Sequence, residues 1–174
     1  MNAGDYGAFF KLMCEAAERV AMRVIAIALM PNHWHLVLWP HADGDLTRYI
    51  GWLSLTHVAR WHRAHGTRGT GAVYQGPFKA IPVEPGLHLY RTIRYVEQNP
   101  RRAKLVTRAE DWPWSSASTV AVVNRPELHP WPMEKPANWL DIVNEPERDI
   151  ALATLRECVM HSSPYGNEGW RQET

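Results

Sequence analysis

Residues 22–39 limit the fold more than any other stretch. MRVIAIALM (22–30) is apolar and β-branched, a pattern that reads as a buried strand. Pro31-Asn32 signals a turn, HWHLVLW (33–39) reads as the next strand, and Pro40 ends it. The two strands make a hairpin. The longest strictly apolar run, Val24–Met30, is far short of the roughly 20 residues that a membrane-spanning helix needs. With 174 residues the chain is long enough to surround the hairpin with a core.

Helical spacing appears on both sides of it. Residues 5–20 place Phe9, Phe10, Leu12, Met13, Ala16 and Val20 on one face, with Lys11, Glu15, Glu18 and Arg19 mostly on the other. Asp43-Gly44-Asp45 supplies a loop and a cap, and a helix is expected from Leu46 to about His65. GTRGTGA (66–72) is a glycine-rich loop that lacks the Gly-Lys-Ser/Thr of a Walker-type phosphate loop. FKAIPV (78–83) reads as a short strand that Pro82 confines to an edge or a strand end. Residues 86–99 read as a second long helix that stops before Pro100. A last helix is expected over 147–161, beyond a stretch punctuated by Pro and Trp.

Charge is unevenly spread. Residues 1–108 carry 14 Lys and Arg against 7 Asp and Glu, a net of +7, whereas residues 109–174 carry a net of −6. A basic body points to a polyanionic partner. Two cysteines, Cys14 and Cys158, make no disulfide framework, and a reducing cytoplasm is the expected compartment.

Three groups of residues could carry chemistry. His33 and His35 lie at i and i+2, so a strand projects both imidazoles to one face, where they could share a divalent cation. The same spacing also serves ordinary polar positions. Arg91, Tyr95 and Asn99 share one face of the expected helix, and residues 91–108 hold Arg91, Arg94, Arg101, Arg102, Lys104 and Arg108 against Glu97 alone. That run suits phosphate contacts, or simply a solvated basic surface. YQGPFKA (74–80) combines aromatics with Lys79, which suits stacking and charge against a single strand, although a structural hairpin explains it equally well.

ALMPNHWHLVLWP, YQGPFKAIPV, IRYVEQNPRRAKLV and EDWPWSS, in that order, resemble the REP-associated tyrosine transposases, single-tyrosine HUH transposases of insertion sequences. The resemblance spans about residues 5–118. It implies an α+β, ferredoxin-like HUH domain, an antiparallel sheet with helices on one face. It implies His33 and His35 as metal ligands for Mg²⁺ or Mn²⁺, Asn99 as a third, amide ligand, and Tyr95 as the nucleophile. The substrate would be single-stranded DNA beside hairpins, held by Lys79, Arg91, Arg94, Arg101, Arg102 and Lys104. Attack would leave a 5′-phosphotyrosine and a free 3′-hydroxyl. Histidines bind metal only when neutral, so activity should fall below about pH 6.5. One tyrosine per site means that full strand exchange needs two sites, hence a homodimer or sequential action.

The resemblance also implies a strand and an RGN-like segment before the first helix, whereas this sequence opens almost directly on that helix. A sheet one strand short would expose backbone along its edge and lose stability. The alternative reading is therefore a truncated or domesticated protein that holds hairpin DNA without cutting it. A third is a metal hydrolase with no covalent intermediate. Residues 1–118 would form the transposase domain, and 119–174 a Trp- and Pro-rich acidic extension.

Overall fold

The hairpin forms as expected in the computed structural model, which describes residues 1–146 and 149–174. β1 (Met22–Leu29) and β2 (Trp34–Pro40) pair in a two-stranded antiparallel sheet. Met30 N–H donates to the His33 carbonyl at 2.8 Å and closes the turn over Pro31-Asn32. The other elements, in chain order, are α1 (Ala3–Arg19), α2 (Asp45–His65), α3 (Leu87–Arg102), a 3-10 turn (Ala109–Asp111), α4 (Trp139–Asn144), α5 (Asp149–His161) and α6 (Glu168–Glu173). The chain is α+β, a small antiparallel sheet with helices packed against it, consistent with a ferredoxin-like HUH domain.

The outer edge of β1 is not bare. Leu29 N–H donates to the Trp114 carbonyl and Ser116 N–H to the Ile27 carbonyl, both at 2.9 Å. Ala28 and Ser115 form an antiparallel bridge between these bonds. Ile27 N–H also donates to Ser116 Oγ, and Trp112 Nε1 donates to the Leu29 carbonyl at 2.8 Å. EDWPWSS thus does part of the work of a neighbouring strand. Exposed sheet backbone was the expectation; at this part of the edge, backbone from 85 residues further along the chain satisfies it instead, as buried amide groups require.

Contacts divide the chain into two units. The first comprises Met1–Val24, Leu38–Phe78 and Val122–Leu128. In it α1 and α2 pack together, the buried Tyr49 hydroxyl donates to the Met13 carbonyl at 3.1 Å, and Arg60 forks onto both oxygens of Glu15. α1 begins earlier than its apolar period suggests, because Asn2 accepts from Asp5 N–H while the Asp5 carboxylate accepts from Asn2 N–H. This reciprocal cap satisfies two otherwise orphaned donors.

The second unit comprises Ile25–Val37, Lys79–Ala121 and His129–Thr174. Its core joins Ile25, Ala26, Ala28 and Val37 of the hairpin to Ile93 and Val96 of α3 and to Trp139 and Val143 of α4. The described residues beyond 128 fall in the same unit as α3, and α4 and α5 contact it. Three local expectations change. α3 continues through Pro100 to Arg102. FKAIPV reduces to a single bridge between Val83 and Tyr165, flanked by hydrogen bonds from Tyr165 N–H to the Pro82 carbonyl and from Glu84 N–H to the Tyr165 carbonyl. The helix expected over 147–161 is described from Asp149 as α5, with Glu147 outside the described residues, and it is not the last, because α6 follows it.

Candidate active site

All of the site residues expected from the sequence fall within the second unit. His33 stands one residue before β2, at the mouth of the hairpin turn, and His35 lies within the strand. Their rings meet edge to face with centroids 4.9 Å apart. His33 Nδ1 lies 2.7 Å from Asn32 Oδ1. An amide oxygen only accepts, so Nδ1 carries the proton and Nε2 keeps its lone pair. Desolvation lowers the pKa of His33, and desolvation together with the charge of His33 pushes His35 down to about 4. Both imidazoles are neutral at pH 7. The ordinary value of 6.5 behind the sequence-based pH expectation does not hold for His35.

α3 brings Tyr95 to this pair. The face running through Arg91, Tyr95, Asn99 and Arg102 follows helical spacing. The Tyr95 ring lies edge-on to His35, with centroids 5.6 Å apart. Asn99 turns its amide nitrogen back onto the Tyr95 carbonyl at 2.7 Å.

The opposite face of α3 sets its rotation. Glu97, 2% exposed, accepts from Ser116 Oγ on one carboxylate oxygen and from Trp139 Nε1 on the other, each at 2.6 Å. Burial raises its pKa, while the two donors act in the other direction. Next to it, Gln98 Nε2 donates to the carbonyls of Val143 and Glu145. The side chains that turn Tyr95 toward the histidines thus reach into EDWPWSS and α4. Tyr95 also packs against a cluster of Leu155, Cys158 and Tyr165.

The two imidazoles offer a divalent cation a pair of nitrogen ligands. His33 offers Nε2, with its other nitrogen held by Asn32, which is how metal-binding histidines are usually oriented. His35 is neutral, and Asn99 would contribute Oδ1, since its nitrogen is engaged. No group of three or more His, Cys, Asp or Glu that could hold a metal occurs among the described residues, so a third protein ligand would have to be an amide or a carbonyl.

The six basic residues expected to contact DNA divide by role. Lys79 donates to the Met160 carbonyl, Arg94 to the Glu145 carbonyl and Arg101 to the Thr107 carbonyl, so each also ties the fold together. Arg102 lies over the Tyr95 ring, 5.4 Å from its centroid. Lys104 is exposed and Arg91 half-buried. Sequence reasoning missed Asn32, although it directly precedes His33 in the quoted motif. It also missed Glu97, whose only local signal is a lone acid within a basic run.

In comparisons with known proteins, the family model described as "Transposase IS200 like" matches residues 2–99. No curated protein and no solved structure gives a match.

Proposed function

The chain belongs to the IS200-like transposase family, and from that premise we propose that it is a single-tyrosine strand transferase of the REP-associated kind. Membership makes DNA its partner and DNA cleavage and rejoining its general activity. The finer reading is that it cuts single-stranded DNA beside hairpins, with Tyr95 as nucleophile and His33, His35 and Asn99 holding Mg²⁺ or Mn²⁺. One observation carries it: the rings of His33, His35 and Tyr95 converge although some sixty positions separate the hairpin from the tyrosine.

In the reaction, Tyr95 Oη bonds to the scissile phosphorus and the bond from phosphorus to the 3′-oxygen breaks. The phenol's proton ends on that oxygen, leaving a 3′-hydroxyl and a 5′-phosphotyrosine. The phosphodiester is conserved as an ester of tyrosine, so rejoining by a 3′-hydroxyl needs no external energy source. A phenol with an ordinary pKa of about 10 is a weak nucleophile at neutral pH. A divalent cation, when bound, polarises the phosphate and offsets the charge that builds on it. Asn32 holds the His33 tautomer, and the contacts of Glu97 and Gln98 hold the rotation of α3, so the phenol meets the phosphate without reorganisation.

The test is incubation of a labelled single-stranded DNA hairpin, tailed on both sides, with the protein and Mn²⁺, followed by denaturing electrophoresis. A covalent protein–DNA adduct forms, Tyr95→Phe abolishes it and EDTA prevents it. An adduct that survives Tyr95→Phe removes Tyr95 as the nucleophile.

A further inference from the structure

Where α3 ends, the chain forms a cavity of about 510 Å³ lined by Arg101, Arg102, Lys104, Leu105, Val106 and Thr107. Resting on the strand-transferase reading, we propose that this cavity seats a backbone phosphate of the single DNA strand, next to the phosphate presented to Tyr95. Four observations converge on it.

The first is an unmet donor. Arg102 Nη1 is buried and has no hydrogen-bond partner among the described residues. A buried guanidinium nitrogen without an acceptor is costly and calls for a ligand that supplies one. The second is position. The same guanidinium lies over the Tyr95 ring, so an anion held by it is within one side chain of the nucleophile.

Strain is the third. Lys104 has φ of 57°, the left-handed conformation that helix ends ordinarily give to Gly or Asn. Here a lysine takes that place in a Schellman cap, which sets Lys104 beside Arg102 in the lining of the cavity. Backbone alone makes that cap: Ala103 N–H donates to the Asn99 carbonyl, Leu105 N–H to the Pro100 carbonyl and Lys104 N–H to the Arg101 carbonyl. The cations are therefore not needed to occupy those groups.

The fourth is charge: among the described residues Arg101, Arg102 and Lys104 form no ion pair with an acid. Of the neighbouring acids, Glu97 is committed to Ser116 and Trp139, and Glu110 to Arg108 and Asn144. Arg101, tied to the Thr107 carbonyl, holds the loop in its curve. A planar guanidinium beside a mobile ammonium suits a phosphodiester's two free oxygens, one forked and one as a point contact.

The experiment measures binding of a fluorescein-labelled single-stranded DNA hairpin with unpaired tails, in EDTA, over a range of salt concentrations. It compares wild-type protein with Arg102→Gln and Lys104→Gly. Each variant should bind several-fold more weakly at low salt and should lower the slope of log affinity against log salt by about 0.7, the value for one single-strand phosphate contact. Lys104→Gly should also melt at a higher temperature than wild type, because glycine relieves the backbone strain. Greater stability with weaker binding is a combination that a purely structural lysine cannot produce, and this variant decides the matter alone if Arg102→Gln fails to fold. Wild-type slopes in both variants would overturn the phosphate seat and leave the transferase reading standing. Failure of the wild-type protein to bind the hairpin would remove both.

Discussion

Trp139→Phe tests whether the C-terminal segment holds α3, the helix that carries Tyr95. Trp139 is 1% exposed, packs edge to face with Tyr90 and Trp131 at centroid distances of 4.7 and 4.8 Å, and donates Nε1–H to the buried Glu97. Phenylalanine keeps a ring in the slot but removes the donor and part of the volume. Leaving a buried carboxylate oxygen without its donor costs about 2 kcal/mol, at the upper part of the usual range because the acceptor is ionisable. The incompletely refilled slot adds roughly 1 kcal/mol. The sum of about 3 kcal/mol corresponds, for a chain of this size, to a fall in Tm of roughly 6–12 °C. Differential scanning fluorimetry reads this directly. Glu97→Gln in the same background replaces the carboxyl that has lost its indole donor with a neutral amide and should recover about 1–2 kcal/mol of the loss. The adduct yield should fall with Trp139→Phe even at temperatures where the protein is folded, since Tyr95 then sits on a less fixed helix. A Tm unchanged within about 0.5 kcal/mol equivalent would refute the tie between Trp139 and Glu97.

Asn32→Ala frees the His33 ring to rotate and to take the wrong tautomer, so the Mn²⁺ concentration for half-maximal adduct formation should rise about 10–100-fold while hairpin binding in EDTA is unchanged. Burial pushes His57 down to about 4, with the Tyr74 hydroxyl 2.6 Å from its Nδ1 and Phe9 edge-on to its ring. The unfolded chain binds a proton there below about 6.5 and the folded chain does not, so stability is lost as pH falls from 6.5 towards 4. After discounting for its partial exposure, His57→Gln should flatten the Tm-against-pH curve across that window by roughly 1–2 kcal/mol equivalent. Arg60→Ala removes an exposed fork onto Glu15 and should cost less than about 1 kcal/mol in the same melting assay.

Periodicity carried much of the architecture. The hairpin, α2 and most of α3 follow apolar spacing within their own segments, and the turn at Pro31-Asn32 lies between the strands as read. Boundaries were less legible where a local rule gives way. α1 starts at Ala3 because Asn2 and Asp5 cap each other, and α3 passes through Pro100, whose missing N–H forgoes only the helical bond to the Val96 carbonyl. FKAIPV lost its strand because only Val83 meets a bridging partner, and that partner, Tyr165, is 82 residues away. At the site, the shared direction of His33 and His35 was legible from their i and i+2 spacing. The approach of Tyr95 to His35 was not contained in spacing at all and entered only through the resemblance. The ties from Glu97 to Ser116 and Trp139 span 19 and 42 residues, distances over which single-sequence patterns carry no information.

The closed flank of β1 sets a limit on how this protein can meet other chains. A free row of amides and carbonyls is the rail onto which a foreign polypeptide zips, in templated aggregation as in strand exchange. Ile27 and Leu29 have already given theirs to the turn that begins at Trp112. An incoming strand on that flank must first peel the Trp112 indole from the Leu29 carbonyl and pull Ser116 away from both Ile27 and Glu97. Because Glu97 rides on the same helix as Tyr95, such peeling would also shift Tyr95 relative to His35, so misassembly at this flank and loss of the proposed activity should appear together.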